Sequence, residues 1–491
     1  MKLNGLLIMA MSGLLTVACS NDDETPDGAD AGADAGGGDP NYPMHKCGDA
    51  DIKSAHCTEI PAGDATALLN ATNTLEADTT IVLAQGTYMM TNEVNIQNLA
   101  HIHLLGQGKD QTILNWKGTT AQVNGIAALN TNDFLIQDFT VANSIKDGIR
   151  VEASDGVTFR RIKATWDTAA RTANGAYGIY PVKSAHVLVE DSFAERASDA
   201  GLYVGQCQNV IVRNNEVTGN VAGLEIENTE YADVYGNNVY GNTGGLVIFD
   251  LPGNPIIGRD IKVHDNHVHD NNGVNFAAPG GTVNSVPVGT GTFAMASRRV
   301  EISNNKYENN NTGDIAIVSG LVIQSDQSKW NLTPGMINGN YTDLNLLPGF
   351  NADGSPDTTK LSNFRSEQIQ ISGNTHSGSG TNPDLNNPLQ VGLLLKLLYG
   401  SDPVSNVIYD TIGETDLTTN DNNICAGGQP ENSSFASLNF AEQDEKGPGQ
   451  PVKIFPAHPF DSATPPVVGG QFDCVTPPSL AANPVVLWNG M

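Results

Sequence analysis

Six Gly-hydrophobic steps constrain this chain more than anything else in it: Gly125-Ile126, Gly148-Ile149, Gly178-Ile179, Gly201-Leu202, Gly223-Leu224 and Gly245-Leu246. They recur at 23, 30, 23, 22 and 22 residues, a period too short for a helical repeat and right for a β-solenoid. Nine residues after each glycine a second strand is expected to begin, at Phe134, Val157, Val187, Val210 and Ala232. From there one rung reads Val210, Val212, Asn215, Val217, Asn220, and the pattern returns from Ala232, Ile261, Val300 and Ile369. Alternation of period two marks short strands with one buried face. The repeated Asn is expected at a bend, where it tolerates left-handed backbone and can stack its amide on the coil beside it. Phe139, Ile162 and Ser192 hold that place in earlier rungs, so the amide ladder should start partway along. Three short strands per coil, in register, predict an all-β, right-handed parallel β-helix.

The ends give the organisation. Met1-Lys2, the apolar run Leu6–Val17 and Ala18-Cys19 read as a signal peptide over 1–18. Thr16-Val17-Ala18-Cys19 resembles a bacterial lipobox, which implies acylation of Cys19 and an exported lipoprotein on the outer membrane or surface of a Gram-negative cell. Residues 19–46 read as an acidic tether without hydrophobic pattern. The β-helix is expected over 47–380, with loop insertions at 273–299 and 314–367. A C-terminal cap follows over 381–491, with an apolar helix at Val391–Tyr399. The stretch Ala65–Leu75 is expected to be a helix closing the first coil. Cys47 and Cys57 flank the start of the fold and Cys425 and Cys474 bracket the C-terminal region, so they are paired in that way; Cys207 is left as a free thiol.

A formal charge of −29 argues against nucleic acid, and against polyanionic glycans unless a divalent cation such as Ca²⁺ assists. Gly106-Gln107-Gly108 lacks the third glycine and the helix of a nucleotide loop and reads as a tight turn. His264, His267 and His269 fall on outward register positions and read as a solvated face rather than a metal centre.

Chemistry is expected on the outward column of the glycine-led strands. Positions two and four after each glycine give Arg150 and Glu152, Tyr180, Tyr203, Glu225 and Glu227, then Val247 and Phe249. Lys183, Gln206, Asn228 and Asp250 follow at the strand ends. At ~4.8 Å per rung the column spans roughly 19 Å, a few sugar units. Tyr180, Tyr203, Glu225, Glu227 and Asp250 are the candidate catalytic residues. Arg150, Glu152, Lys183, Gln206, Asn228 and Phe249 are the candidate binding residues. Glu225 and Glu227 are ~6.8 Å apart along the strand, which overlaps the spacing of inverting glycosidases; the same pair can instead hold a cation or face water.

Thr80–Tyr88, His101–Gly108 and Gln111–Leu114 resemble the first coils of pectin-lyase-like β-helices. Arg161-Ile162-Lys163 is similar to the closing motif of polygalacturonases, but no Gly-His-Gly occurs, and the Arg-x-Pro-x-x-Arg of pectate lyases is absent. Gly178–Val182, Val187–Ser192, Ala197–Gln206, Asn220–Asn228, Asn242–Pro252 and Val286–Gly291 resemble the exported parallel β-helix repeat lipoproteins of bacteria. That resemblance implies fold, export and a neighbouring second exported protein, and carries no reaction. Two readings follow. One is a lyase, C5-epimerase or glycoside hydrolase on a polysaccharide, with Tyr180, Tyr203 or Lys183 as base and Arg150 or a cation meeting a uronate. The other is a scaffold or binding lipoprotein that docks another exported protein.

Overall fold

The structure, a computed structural model, describes residues 44–437 apart from 168–170, 255, 333–340, 342–343, 345, 390, 415–418 and 428–432, together with 458–459, 472 and 474. The signal segment, Cys19 and most of the acidic tether lie outside the described residues.

Three sheets, of twelve, twelve and ten strands among the described residues and parallel except for the antiparallel strand His458–Pro459, wind as a right-handed β-helix. The first sheet runs from His56–Ile60 to Ile424–Cys425, the second from Val94–Gln97 to His458–Pro459, and the third from Gly86–Met89 to Thr375–Ser377. The glycine steps lie in the second sheet, in the expected register: Ile149 pairs with Ile179, Ile179 with Leu202, Leu202 with Leu224 and Leu224 with Leu246. The reason for glycine is a close backbone approach. A Cβ on Gly178 would meet the Gly201 carbonyl oxygen at 2.5 Å, and one on Gly245 would meet that of Gly291 at 2.5 Å. Gly291 belongs to a seventh such rung, hidden because Thr292 follows it where the others have Ile or Leu.

The Asn ladder is present. Asn215 Nδ2 donates to Asn237 Oδ1 at 2.9 Å, and Asn237 Nδ2 donates to Asn266 Oδ1 at 2.9 Å. Each Oδ1 also accepts the backbone N–H one coil back, as Asn237 does for Asn215 at 3.0 Å. A second ladder runs through Asn220, Asn242, Asn271 and Asn310. The expected left-handed backbone, however, falls one residue earlier, on Asn214, Gly236, Asp265 and Asn304. The ladder Asn must send its side chain between coils, so its predecessor makes the turn. At a third corner, hydroxyls do the same work: Thr131 N–H donates to Ser154 Oγ, and Ser154 N–H to Ser184 Oγ. Cys207 occupies this column, is buried and free, and donates its own N–H to Thr229 Oγ1 at 3.3 Å.

The insertions are shorter than expected. Thr290–Met295 and Gly313–Val318 are rungs of the second sheet, leaving excursions over 273–289 and 319–366. The coil also continues past residue 380, through Val407–Tyr409, Ile424–Cys425 and Ser434–Ser437. Those rungs lack the Gly and Asn signals, so the pattern alone ends the coil too early. The Ala65–Asn73 helix is capped by the Asp64 carboxylate and sends Leu68 into the first coil's core. The Val391–Tyr399 helix is present, with Leu395 buried beside Val404 and Ile408. Both disulfides, Cys47–Cys57 and Cys425–Cys474, form; closing the 49-residue interval of the second contributes roughly 4 kcal/mol in the chain-entropy account. Among the described residues no helix is long and apolar enough to cross a membrane.

Asn237→Ala removes the acceptor of a buried N–H and should cost about 2–3 kcal/mol. Gly245→Ala should cost about 1–3 kcal/mol through the clash with the next coil. Denaturant midpoints check both, with Lys262→Ala, on an exposed position, expected within about 0.5 kcal/mol of the parent.

Candidate functional site: a covered acidic column beside three tyrosines

Outward positions of the second sheet do alternate with the coil core, but they divide into an open and a covered stretch. Leu202, Val204, Leu224, Ile226, Leu246 and Ile248 fill the coil interior. Tyr203, Val247 and Phe249 point away from it, into a second apolar cluster made with Val283, Val286 and Trp330 of the excursions. The expected solvent-facing cleft is therefore closed over Tyr203, Glu225, Glu227 and Phe249, because the excursions fold back over it; Glu225 is 1% exposed. Upstream the face stays open: Arg150, Glu152, Tyr180 and Gln206 are half-buried and Lys183 is exposed.

On the open stretch, register sets Arg150 beside Tyr180, with the guanidinium carbon 5.3 Å from the ring centroid. Arg150 Nη2 and Lys183 Nζ reach Glu152 at 2.7 and 3.1 Å. Burial works against the Glu152 charge, but these two cations hold its carboxyl below the usual range. Arg150, expected to meet a uronate, and Lys183, a candidate base, are thus both paired with Glu152.

Where the open stretch meets the covered one, Tyr177, Tyr180 and Tyr203 pack together, with centroids 4.6, 4.6 and 4.8 Å apart. Tyr177 OH donates to Asp199 Oδ2 at 3.2 Å, and Tyr203 OH donates to Glu227 Oε2. Asn254 Nδ2 donates to Glu227 Oε1 at 2.7 Å, so Glu227 is held from both sides. Asp199 Oδ1 and Glu225 Oε1 are buried with no hydrogen-bonding partner among the described residues. Burial raises all of these acids. Asp147 is pushed up to about 6, Asp199 and Glu227 to about 7, and Glu225 well above the carboxylate range, with Asp199 adding like-charge repulsion on Glu225 and Glu227. Burial also lifts the Tyr180 phenol to about 12, so it keeps its proton at neutral pH.

Asn228 and Asp250 lie next to this cluster as braces of the 251–258 loop. Asn228 Oδ1 accepts from Leu251 N–H and Nδ2 donates to Ile256 O, each at 2.8 Å. Asp250 accepts the Gly258 N–H at 2.9 Å, and burial raises its carboxyl to about 7. Tyr177, Asp199 and Asp147 escaped the strand pattern because they stand just ahead of the glycine steps. The available signal was the rise of polar residues there, Asn124, Asp147 and Tyr177, in successive coils. The three outward histidines each meet an acid: His264 with Asp233 and Asp265, His267 with Glu308, His269 with Asp270. Among the described residues no three His, Cys, Asp or Glu side chains converge as a metal shell.

Coil and register together make this a right-handed parallel β-helix protein. The family model described as "Right handed beta helix region" matches residues 100–254 and 172–328. No curated protein sequence matches the chain. Among solved structures it is similar to the A-module of Azotobacter vinelandii mannuronan C-5 epimerase AlgE4, at 16% identity over 72% of this chain and 94% of that one, with a TM-score of 0.43. It is also similar to the polygalacturonase of Erwinia carotovora ssp. carotovora, at 9% identity over 66% and 92%, with a TM-score of 0.41. A third is the catalytic unit of the GH87 α-1,3-glucanase from Streptomyces thermodiastaticus, at 12% identity over 78% and 55%, with a TM-score of 0.42.

An acid raised by burial stabilises the fold fully below its ordinary value and ceases to do so as pH climbs through the raised one. The denaturation midpoint should therefore fall between pH 5 and pH 8. Glu225→Gln, which keeps shape and cannot ionise, should flatten that fall and exceed the parent in stability at pH 8. An unchanged slope would place the pH dependence elsewhere.

Proposed function

We propose that this is a cell-envelope lipoprotein, anchored through Cys19 on the outer membrane or surface of a Gram-negative cell, whose β-helix binds a polysaccharide and acts on it by acid–base chemistry. The observation that carries the reading is the set Asp199, Glu225 and Glu227, held protonated toward neutral pH against three tyrosines. A raised carboxyl is the group that protonates a leaving oxygen, and a neighbouring carboxyl that gives up its proton first can serve as base. Among lyase, epimerase and hydrolase, this supports the hydrolase, since Tyr180 stays protonated and Lys183 is bound to Glu152. The open rungs from Val94–Gln97 to Tyr177–Val182 supply roughly 14 Å of flat surface for the glycan, with Tyr180 as stacking platform. The lipobox at Thr16–Cys19 supports the anchor.

One observation favours the second reading, a scaffold or binding lipoprotein that docks another exported protein without turnover: Glu225 and Glu227 have almost no surface of their own. A panel of neutral and acidic polysaccharides, with and without Ca²⁺, assayed for binding and for new reducing ends, separates the two. Tyr180→Ala should weaken binding about tenfold. Asp199→Asn and Glu225→Gln should each lower product formation by about a hundredfold or more, with binding kept. Turnover untouched by both acid variants would reject the site. No product on any glycan, together with a stoichiometric exported partner, would establish the scaffold.

A further inference from the structure

Residues 273–289 leave the coil after His267–His269 and rejoin it at Thr290–Met295. This excursion contains no Asp, Glu, Lys, Arg or His. It is organised around Asn275, whose Nδ2 donates to Val283 O at 3.0 Å and Val286 O at 3.2 Å while its Oδ1 accepts from Ala277 N–H at 3.0 Å. Ala277, Val283 and Val286 then lie in one apolar cluster with Tyr203 and Val247, the residues that register sets on either side of Glu225. Side-chain hydrogen bonds tie its rim: Thr172 Oγ1 to Phe276 O at 2.8 Å, Asn387 Nδ2 to Ser285 O at 2.9 Å, and Val288 N–H to Asp384 at 3.3 Å. A small recess remains along its inner side, lined by Val247, Phe249, Val283, Val286 and Phe293.

Every charged group facing the covered acids comes from the coil or its other loops. Glu225 has Tyr203 and Glu227 on its own and the preceding strand, and Asp199 and Tyr177 nearby. Asp199 has Tyr177 and Asp147, with Lys146 and Arg150 beyond them acting on Asp147. Glu227 has Asn254 from the 251–258 loop and Asp250 in the next coil. On the excursion's outer side stands Asp384.

We propose that 273–289 is a pH-released cover: it seats on the column while the acids beneath keep their protons, and lifts when they ionise. The physical reason is an asymmetry between the two sides. An ionised Glu225 or Asp199 under the cover has an oxygen without a donor, and an apolar cover cannot supply one; lifting it lets water in. The coil cannot answer the same strain, because its rungs are bonded above and below through the amide ladders. Asp199 and Glu227 titrate near 7 when covered, against ordinary values of 3.8 and 4.5. Closure is therefore complete below about pH 4 and is lost as the pH rises through about 7. This regulates the same acids that the proposed hydrolase would use, but its test needs no glycan, so either idea can fail alone.

The experiment is hydrogen exchange on the full-length protein, corrected for the intrinsic pH dependence of exchange. Protection of the amides in 273–289 should fall about tenfold or more between pH 5 and pH 8, one pKa unit of differential charging being tenfold. Protection in the ladder strands Gln208–Arg213 and Glu230–Tyr235 should hold. In the double variant Asp199→Asn with Glu225→Gln, protection of the cover should become pH-independent. Equal cover protection at both pH values in the parent, or an undiminished pH response in the double variant, would overturn the proposal.

Discussion

The hydrogen bond from one coil to the side chain of the next is the interaction on which this molecule rests. A parallel sheet alone permits slippage, and a one-residue slip would turn every core side chain outward. The amide of Asn237 accepts from the coil before it, donates to the Val212 carbonyl and donates onward to Asn266, so each Asn fits only one register. Where Asn gives way, Ser192 and the Thr131–Ser154–Ser184 column do the same with hydroxyls. The buried thiol of Cys207 fits the same logic. It stands in a hydroxyl column, donates weakly to the Gly205 and Pro181 carbonyls, and burial lifts it to about 12, away from reactivity.

Those fixed contacts explain what the sequence shows and what it hides. Glycine steps and Asn bends are visible because backbone contact and amide ladders tolerate few residue types. The hydroxyl corner is hidden because Ser, Thr and Cys can all serve there, and the rung at Thr290–Met295 because Thr292 replaces a hydrophobic residue. The late coils carry the backbone pattern without its signature residues, so only the chain's path reveals them. The site was half legible. Alternation placed Tyr180, Tyr203, Glu225 and Glu227 on one face; register stacks Tyr203 on Glu225 and sets Glu227 opposite Gly205, one column over. Alternation states which side chains leave the coil, however, and says nothing of what lies over them. The cover comes from Gly273–Gly289 and residues 319–366, long-range partners with no periodic mark.

The acids and their apolar roof are better understood together than apart. Burying one ionised carboxylate without a partner is costly, and a stack of parallel strands brings carboxylates of successive coils to the same side. With Lys183 and Arg150 bound to Glu152 at the open end, few cations remain to neutralise the column, and protons take that place. A proton can be lost and regained without moving the backbone, which no fixed Lys or Arg partner allows.

This separation of rigid and movable parts bears on how such a column can do chemistry at all. Loops normally carry active sites because they adapt, but here Tyr177, Glu225 and Glu227 stand on strands whose spacing is set by the sheet at ~4.8 Å per coil, with Asp199 in the bend just before Ala200–Gly205. Tyr177, Asp199, Glu225 and Glu227 cannot approach one another by backbone motion, so their proton affinities are governed by what lies over them. Water entering from the open side of Tyr180 would lower those affinities one after another, Glu227 being already held by Asn254 and Tyr203 and Glu225 having nothing on its Oε1. Two carboxyls two residues apart on a single strand are thereby given unequal grip on a proton, which is the asymmetry that an acid and its conjugate base require.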